Sequence, residues 1–417
     1  MNVLVVSHMF PSPLDACAGV FVLEQAKALR ETGADVHIIS PTPWAPGLLR
    51  CHPSVRKYLV VPPTWMVDDL VVRYPRVPTL PRNMGFSLSG LLFYLSCRGW
   101  VSRLMQQKRI DVIHAHTLLP DGFCAVLLGR EFGVPVVCTA HGSDVNVYPR
   151  HSNLVRAATK WTLQHLDHVI AVSENLKNEA LALGTDREVT VVRNGAASAS
   201  FRPYSKIEAR NKLGLDAAGR IVTFIGYLRA EKGIDYLLEA FARLRRGDAQ
   251  LCMVGDGPLR DQLIAQAKRL GILENCILAG QRRHSEIPLW ISASDCVVLP
   301  SLSEGFPTIL PEVMLCGVPI VATAVGGIPE AVRDQETGWL VPPANTAALA
   351  QALTTLLSDE EQASRIATCA QKWAKRSLTW DANAAAMTEI YTDVVSRTVA
   401  ATATTHRNSP LHSLSIH

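Results

Sequence analysis

The sequence predicts an α/β protein built from two doubly wound domains, and three observations support that fold class. The chain has 417 residues, which suits two domains of about 200 residues better than one core. Short apolar runs alternate with amphipathic helical stretches, which is typical of parallel sheets covered by helices. The alternation stops between residues 199 and 219 and then restarts, which indicates a connection between two similar units.

Six apolar runs in the first unit are predicted to be buried strands. They read NVLVVS, DVHIIS, IDVIHAH, VPVVCTAHG, HVIAVS and VTVVRNG. The first helix is predicted from Val20 to Thr32 because its apolar residues share one face and Gly33 provides a stop. The proline-rich segment from Pro41 to Pro81 is predicted to be an irregular excursion. Further helices are predicted from Ser87 to Lys108, from Asp121 to Phe132, through Trp161, and from Glu174 to Leu183.

The second unit repeats the pattern with the runs RIVTFIGYL, AQLCMVGDG, CILAG, CVVLPS, VPIVAT and GWLVPP. We therefore predict a first domain over residues 1–200 and a second over residues 201–380. A last helix over residues 381–397 is predicted to pack back on the first domain. Residues 398–417 are rich in Ala, Thr, Ser and His without periodicity, and we predict a disordered tail there.

Composition limits the functional classes. Hydrophobic residues make up 48% of the chain and charged residues 19%, a balance typical of globular proteins. The net charge of +4 is too small to indicate nucleic-acid binding. Ten cysteines are scattered without a C-x-x-C pair, which favours a reducing cytosol. The first residues lack the features of a signal peptide, so we expect a cytoplasmic protein.

Membrane contact is expected to be peripheral at most, at the inner face of the cell membrane. The longest apolar stretch, Phe86 to Trp100, contains serines and an arginine and is too short to span a bilayer. Basic residues near it, Arg98, Arg103, Lys108 and Arg109, could face anionic lipid headgroups. A solvated helix face is the preferred interpretation.

Several polar residues stand where predicted strands end. His116, His141 and Ser173 each follow an apolar run, and the carboxyl ends of parallel strands are where ligands bind in such sheets. His8 and His114 also lie at strand ends. We predict no metal site from these histidines, because no carboxylate or cysteine shell accompanies them.

The segment SLSEGFPTILPEVMLCGVPIVAT carries the strongest chemical signal. Glu304 and Glu312 are separated by about two helical turns, so both can face one ligand edge. Gly305 permits close backbone approach, and Pro307 and Thr308 stand at the predicted helix start, whose free N–H groups and dipole suit a diphosphate. The two carboxylates would accept hydrogen bonds from sugar hydroxyls. The alternative is a pair of surface glutamates beside a helix cap.

At this point the sequence resembles the family-4 retaining glycosyltransferases of GT-B fold, over nearly its whole length. The resemblance implies two Rossmann-like domains that face each other across a cleft. The opening segment and LPDG further resemble bacterial enzymes of exopolysaccharide and teichuronic-acid assembly. The motifs that carry the resemblance to the family-4 glycosyltransferases are FPSPLDACAGVFVLEQAKALRETGADVHIISP, HAHTLLPDG, TAHGSDVN, IAVSENL, VVRNGAASASF, FIGYLRAEKGIDYLLEAF, MVGDGPLRDQL, the segment with both glutamates, AVGGIPEAV and TGWLVPP.

This resemblance implies transfer of a sugar, with retention, from a nucleoside diphosphate to a glycan or a lipid-linked saccharide in surface polysaccharide biosynthesis. UDP is the expected nucleotide, and GDP stays open. The donor is a co-substrate, and no other cofactor is expected. Because the sequence contains no D-x-D triad, we expect no metal, and cationic side chains, the helix dipole and backbone amides would stabilise the leaving group.

The resemblance also assigns roles to charged residues. Glu304 would contact hydroxyls of the donor sugar, and Glu312 the ribose. Lys232 would neutralise the departing diphosphate together with an arginine. The family often has that arginine where this chain has Tyr227, and Arg229 lies two residues further on. Arg229 is therefore a candidate substitute, ranked below Lys232.

Other roles follow from the same resemblance. His141 would contact the donor sugar near the reacting centre, and Gly19 would place a backbone N–H against phosphate or sugar. Gly255 would lie in a loop lining the nucleotide pocket, and Phe306 completes the donor-binding segment. For Asp144, orientation of His141, acceptor binding and helix capping all stay open.

Two rival functions are compatible with the fold. A GT-B sugar-nucleotide epimerase would form product from the donor alone, and the paired glutamates argue against it. A non-catalytic nucleotide-binding scaffold in a glycan-assembly complex is supported only by Tyr227. The retention of Lys232, Glu304 and His141 favours catalysis.

Overall fold

The strands form two large sheets and one separate two-stranded sheet in the computed structural model, which describes residues 1–45, 47, 52–79, 85–244 and 247–407. The strands are β1 (Asn2–Val6), β2 (Asp35–Ile39), β3 (Thr42–Trp44), β4 (Thr64–Val67), β5 (Leu70–Arg73), β6 (Arg76–Pro78), β7 (Val112–His116), β8 (Val136–Ala140), β9 (His168–Ala171), β10 (Val189–Val191), β11 (Arg220–Ile225), β12 (Ala249–Val254), β13 (Cys276–Gly280), β14 (Cys296–Leu299), β15 (Ile320–Thr323) and β16 (Trp339–Val341).

The helices cover both faces of these sheets. They are α1 (Val20–Glu31), α2 (Pro53–Arg56), α3 (Ser89–Gln107), α4 (Phe123–Phe132), α5 (Ser143–Asn146), α6 (Tyr148–His151), α7 (Asn153–His165), α8 (Glu174–Ala182), α9 (Lys206–Leu213), α10 (Ile234–Leu244), α11 (Arg260–Arg269), α12 (Ile287–Ala293), α13 (Ile309–Cys316), α14 (Ile328–Ala331), α15 (Thr346–Ser358), α16 (Glu360–Ser377) and α17 (Trp380–Arg407).

The two sheets confirm the predicted α/β class. The first has the order β10-β9-β8-β7-β1-β2-β5-β4, and the second has the order β13-β12-β11-β14-β15-β16. All pairs in both sheets are parallel except β4 with β5. We call the part built on the eight-stranded sheet the first domain, and the part built on the six-stranded sheet the second. Central strands such as β8 and β14 are buried along their whole length, which explains their unbroken apolar sequences.

The segment from Pro41 to Pro81 is more regular than expected. Strand β5 pairs in parallel with β2, and β4 folds back antiparallel to β5. Buried and exposed positions alternate along β5, the period-2 pattern of a half-buried strand. The prediction of an irregular excursion was wrong because the density of prolines outweighed this short alternation. Parts of the segment, at residues 46, 48–51, 80 and 81, lie outside the described residues.

Helix α9 lies within the stretch that the sequence indicates as a connection without apolar periodicity. Its two buried positions are Ala209 and Arg210. The Arg210 guanidinium donates to the carbonyl oxygens of Ala293 and Gly219 and to the Asp295 carboxylate, at 2.7–2.9 Å. A hydrogen-bonded arginine therefore anchors this helix. Because the helix has no apolar face, the spacing of apolar residues does not predict it.

The chain passes between the domains twice, side by side. The N–H of Ala196 donates to the carbonyl of Leu378, and the N–H of Trp380 donates to the carbonyl of Ala196. Helix α17 then returns to the first domain, where Gln25 donates to Asn383 at 2.7 Å.

The C-terminal tail differs from its prediction. Helix α17 continues to Arg407, past the expected end of order at residue 397. Alanine is the strongest helix former, and the alanines after residue 398 extend the helix without needing an apolar face. Residues 408–417 lie outside the described part of the chain.

Surface features agree with the expected solvated helix face. Arg98 pairs with Glu131 at 2.5 Å, and Lys108 pairs with Asp35. None of the helices that the structure describes has both the length and the apolar character needed to cross a bilayer. The described cysteines are all free thiols, and Cys51 lies outside the described residues.

Candidate functional site

A cavity of about 560 Å³ lies between the two domains at the carboxyl edges of both sheets. The first domain contributes the β1–α1 loop and the start of α1, and the second contributes the loops after β11, β12 and β13 and the first turn of α13. Five of the residues singled out in the sequence line it: Gly19, Arg229, Gly255, Thr308 and Glu312. Residues far apart in the sequence thus meet at the edge where ligands bind in parallel sheets.

Two of these residues must be glycine for steric reasons. Gly19 precedes α1 with φ of 62°, and a Cβ there would collide with the carbonyl oxygen of Met9. Gly255 has φ of 147°, and its Cβ would collide with the carbonyl oxygen of Gly226. Both positions bring bare backbone to the cavity wall, as a ligand approached by backbone amides requires.

The segment with both glutamates leads from β14 into α13. Among the described residues, no side chain caps the N terminus of α13 at Thr308. The N–H of Leu310 already donates to the Pro307 carbonyl and Pro311 has no N–H, so Thr308 and Ile309 carry the N–H groups for an anion at this end. Pro307 and Phe306 precede this turn, and Phe306 is buried. The carbonyl oxygen of Phe306 accepts a hydrogen bond from Asn194 of the first domain at 3.3 Å, which ties the segment to the opposite side of the cleft.

Lys232 and Glu304 form an ion pair beside this segment. The Lys232 Nζ lies 2.6 Å from Glu304 Oε1, and Ser301 Oγ donates to the same oxygen at 2.7 Å. The Glu304 side chain is 10% exposed and that of Lys232 is 26% exposed. The structure brings the pair together, and neither side chain is among the residues that line the cavity.

Arg229 occupies a different position from Lys232. Its guanidinium stacks over the ring of Tyr227 at 4.8 Å from the ring centroid, and both residues line the cavity. Tyr227 is 52% exposed. The aromatic ring therefore supports Arg229 at the cavity wall by a cation–π contact.

His141 stands at the end of β8, close to the second domain. A Cβ on Gly305 would collide with the carbonyl oxygen of His141, so these two backbones touch. The His141 ring packs against Phe21 with 4.6 Å between centroids, and its Nε2 lies 3.1 Å from Nδ1 of His116. Burial lowers the pKa of His141 to about 3, so the ring is neutral at physiological pH.

Asp144 holds the loop that follows β8. Its carboxylate accepts hydrogen bonds from the backbone N–H groups of His141, Gly142 and Leu118 at 2.9–3.1 Å. Asp144 is 1% exposed. Of the uses left open by the sequence, its contacts support orientation of the His141 loop.

His114 and His8, the other histidines at the strand ends, each have hydrogen-bond partners among non-histidine residues. His114 accepts or donates hydrogen bonds at both ring nitrogens, with Thr139 at 2.8 Å and the Tyr391 hydroxyl at 2.7 Å. His8 pairs with the buried Asp121 at 2.8 Å. In the part of the chain that the structure describes, no group of three or more His, Cys, Asp and Glu side chains has an arrangement that could hold a metal ion.

His284 is one of the cavity residues that the sequence analysis did not single out. His284 lies in a 3-10 turn just after β13, and its Nε2 is 2.8 Å from Oε1 of Glu312. The only feature of the sequence that could have indicated His284 is its position in the segment QRRHSE, directly after the predicted strand CILAG. The partnership with Glu312 joins residues 28 positions apart, which no local pattern shows.

The profiles of two known families match most of the chain. The profile described as "Glycosyltransferase Family 4" matches residues 18–198, and that described as "Glycosyl transferases group 1" matches residues 205–373. The two matches meet near the point where the chain passes from the first domain to the second.

Curated relatives resemble the chain over most of their length. A putative teichuronic acid biosynthesis glycosyltransferase, TuaC of Bacillus subtilis, is 31% identical over 85% of this chain and 88% of its own. The N-acetyl-alpha-D-glucosaminyl L-malate synthase of Bacillus anthracis is 28% identical over 82% of this chain and 85% of its own. A D-inositol 3-phosphate glycosyltransferase of Thermobispora bispora is 29% identical over 91% of this chain and 90% of its own.

Solved structures share the fold at lower identity. Sucrose-phosphate synthase of Thermosynechococcus elongatus has a TM-score of 0.80 at 22% identity, covering 95% of this chain and all (100%) of that one. The Anabaena protein HepE, solved in complex with UDP, has a TM-score of 0.72 at 22% identity, covering 94% of this chain and 100% of that one.

Proposed function

Since the chain belongs to the family-4 glycosyltransferases of GT-B fold, we propose that it transfers a sugar, with retention of anomeric configuration, from a nucleoside diphosphate to a glycan or lipid-linked saccharide. The observation that carries the proposal is the cavity between the domains, which brings together Gly19, Arg229, Gly255, Thr308 and Glu312. UDP is the favoured nucleotide. The HepE structures with UDP and UDP-glucose support this choice.

The donor site follows from the contacts around α13. The diphosphate would lie against the uncapped N terminus of α13 and the bare backbone at Gly19 and Gly255, where N–H groups and the helix dipole favour an anion. Glu312 would accept hydrogen bonds from the ribose, and Glu304 from the donor sugar. The 2.6 Å pair between Lys232 and Glu304 would place the cation and the sugar-binding carboxylate side by side.

The chemistry requires stabilisation of a departing diphosphate. The bond from the anomeric carbon to the phosphate oxygen breaks, and the acceptor oxygen bonds to the same face of that carbon. The acceptor proton passes to the departing phosphate oxygen. Lys232, with Arg229 at the cavity wall, would offset the developing negative charge. His141, neutral because it is buried, would act as a hydrogen-bonding group rather than as a cation.

Metal-independent transfer is part of the proposal. The absence of a D-x-D triad from the sequence supports it, as do the position of Arg229 on the cavity wall and the Lys232 cation paired with Glu304. These cations would take the role that a metal ion plays for a chelated diphosphate.

A role in surface polysaccharide biosynthesis is the favoured pathway class. TuaC, named for teichuronic acid biosynthesis, supports it. Relatives named for malate and D-inositol 3-phosphate acceptors define the competing acceptor classes. A cytoplasmic location with peripheral contact at the membrane would suit a lipid-linked acceptor.

An acceptor-dependent assay separates transfer from the rival functions. Release of UDP from UDP-glucose and other UDP-sugars would be followed with no acceptor and with L-malate, D-inositol 3-phosphate, glucan or lipid-linked saccharide. We expect release that depends on one acceptor class and a product whose anomeric proton coupling matches that of the donor. Formation of a new sugar from donor alone would favour the epimerase, and binding without turnover on any acceptor would favour the scaffold.

A further inference from the structure

His284 is placed to control a donor-binding carboxylate. It begins the 3-10 turn His284–Glu286, directly after the loop that leaves β13. Its side chain is 29% exposed and lines the cavity, whereas that of Glu312 is 9% exposed. The His284 ring also packs on Phe201, a buried residue of the interdomain connection, with 5.1 Å between centroids. The ring is thus fixed from two sides.

The Glu312 carboxylate needs such a partner. A buried carboxylate without hydrogen-bond donors carries a large desolvation cost. Within the described ranges, His284 is the one side chain that hydrogen-bonds to it, through Oε1 at 2.8 Å. This bond restricts the rotation of the carboxylate and leaves Oε2 for another partner.

We propose that His284 is a positioning residue for the nucleotide donor, which holds the Glu312 carboxylate so that its second oxygen accepts the hydroxyls of the ribose. The inference rests on the proposed function, because it takes Glu312 as the ribose ligand. His284 acts through Glu312 and does not touch the reacting atoms.

The charges around His284 give the pair a pH dependence. Burial alone would lower the pKa of His284, but the hydrogen bond and charge of Glu312, with the charge of Glu24, outweigh burial and the opposing Lys27, so the pKa is raised. The ring therefore gains its proton at a higher pH than a free histidine. Protonation adds a positive charge beside an anionic ligand, so donor affinity should increase as the pH falls through this pKa.

Calorimetric titration with UDP-glucose tests the proposal. The phosphates of this probe keep a constant charge between pH 6 and pH 8.5, because each is substituted at two oxygens, by one ester and the shared anhydride, and has no further proton to lose in that range. We expect the wild type to bind about fivefold more tightly at pH 6 than at pH 8.5. His284→Ala should weaken binding by about tenfold at pH 8. His284→Gln, which keeps an N–H donor, should restore the affinity but lose the pH dependence.

A double-mutant cycle shows whether His284 acts through Glu312. In a Glu312→Gln background, His284→Ala should cause no further loss of affinity. His151→Ala, at an exposed histidine on α6, is the matched control and should bind as the wild type does. Equal affinity of wild type and His284→Ala, or additive losses in the double variant, would overturn the proposal.

Histidine NMR titration checks the pair without any donor. The His284 pKa should exceed 6.5 in the wild type and fall in Glu312→Gln; a pKa that does not change between the two would overturn the pairing. A wild type that binds no UDP-glucose, yet shows the coupled titration, would exclude UDP-glucose as the donor while the His284–Glu312 pair stands.

Discussion

Lys232 and Arg229 come from one turn of the sequence but lie in different surroundings. Lys232 is bonded to Glu304 at 2.6 Å, whereas Arg229 stacks on Tyr227 at the cavity wall. The replacement of the family's arginine by Tyr227 thus leaves a guanidinium in the cavity two residues later. We propose that the two cations have separate roles, Lys232 beside the Glu304 carboxylate and Arg229 at the cavity wall.

Removal of the lysine should be the more damaging change. Lys232→Ala should lower kcat by roughly 100-fold or more, because a preorganised cation opposite the leaving group is lost. Arg229→Ala should mainly raise the KM for the donor. Steady-state kinetics on both variants, with Lys268→Ala on the second-domain helix α11 as control, measures the difference. A Lys232→Ala enzyme with kcat within about threefold of the wild type would contradict the assignment.

At the scale of residues, the sequence predicts what short segments contain but not which side chains pair. The segment from Glu304 to Glu312 shows the helix start, the glycine and the carboxylates. Neither the bond between His284 and Glu312 nor the stack of Phe21 on His141 is visible locally, because each depends on how distant loops meet.

The contact between Gly305 and the carbonyl of His141 joins a loop of the second domain to strand β8 of the first. A Cβ at residue 305 would collide with that oxygen, so Gly305→Ala should keep the domains apart. We expect a loss of kcat of at least about tenfold, because the groups that the two domains contribute to the cavity would no longer meet in the productive geometry. Gly99→Ala, where a Cβ meets no atom within 4 Å, is the control. Full activity of Gly305→Ala would show that this contact is dispensable.

The histidines of β7 and of the turn after β8 should make the protein sensitive to acid. Burial lowers the pKa of His114 and His141 to about 3 and that of His116 well below 6.5. The unfolded chain takes up these protons near pH 6.5, so stability is lost as the pH falls below that value. Each of these three histidines lowers the free energy of unfolding by about 1.4 kcal/mol for each pH unit below 6.5. His8 acts in the opposite direction, because the nearby Asp121 outweighs burial and raises its pKa.

Urea unfolding at pH 7.5, 6.5 and 5.5 measures this effect. The free energy of unfolding should decrease steadily below pH 6.5. In His116→Leu it should decrease less steeply with pH, because one buried histidine has been removed. A free energy that stays constant down to pH 5.5 would mean that these rings are protonated in the folded state.

Helix α9 depends on Arg210 rather than on an apolar face. The arginine side chain is 4% exposed and that of Asp295 is 9% exposed. Burial would raise the pKa of Asp295, but hydrogen bonds from Lys206 and from the N–H of Ile221, with the nearby positive charges, lower it. Arg210→Ala should destabilise the protein by about 3–5 kcal/mol, because it leaves a buried charge without its partner.

Chemical denaturation compares this variant with Arg243→Ala on helix α10. A loss below about 1 kcal/mol for Arg210→Ala would show that Lys206, 2.8 Å from Asp295, is sufficient on its own.

At the scale of the molecule, repetition made the fold predictable. Two successive series of apolar runs and helices predict two parallel sheets, because each run is too short for a helix and too apolar for a surface. The edge hairpin of β4 and β5, helix α9 and the last turns of α17 escaped prediction. Each is held by something other than a long apolar pattern: alternation over four residues, a buried arginine and alanine propensity.

The cleft itself depends on long-range contacts. The chain crosses between the domains at Ala196 and Thr379, and Arg193 of the first domain pairs with Glu330 of the second at 2.7 Å. Motifs can name the loops on each side, but only the folded chain shows that they enclose one cavity.

The most direct test of the central claim is the melting temperature of the purified protein with UDP-, GDP- and ADP-sugars, each with magnesium and with EDTA. A ligand that binds only the folded state raises the melting temperature by mass action. We predict a selective increase with one UDP-sugar that persists in EDTA and is lost in Glu312→Gln. A folded sample whose melting temperature does not respond to any nucleotide sugar would contradict the claim that the cavity between the domains is a donor site.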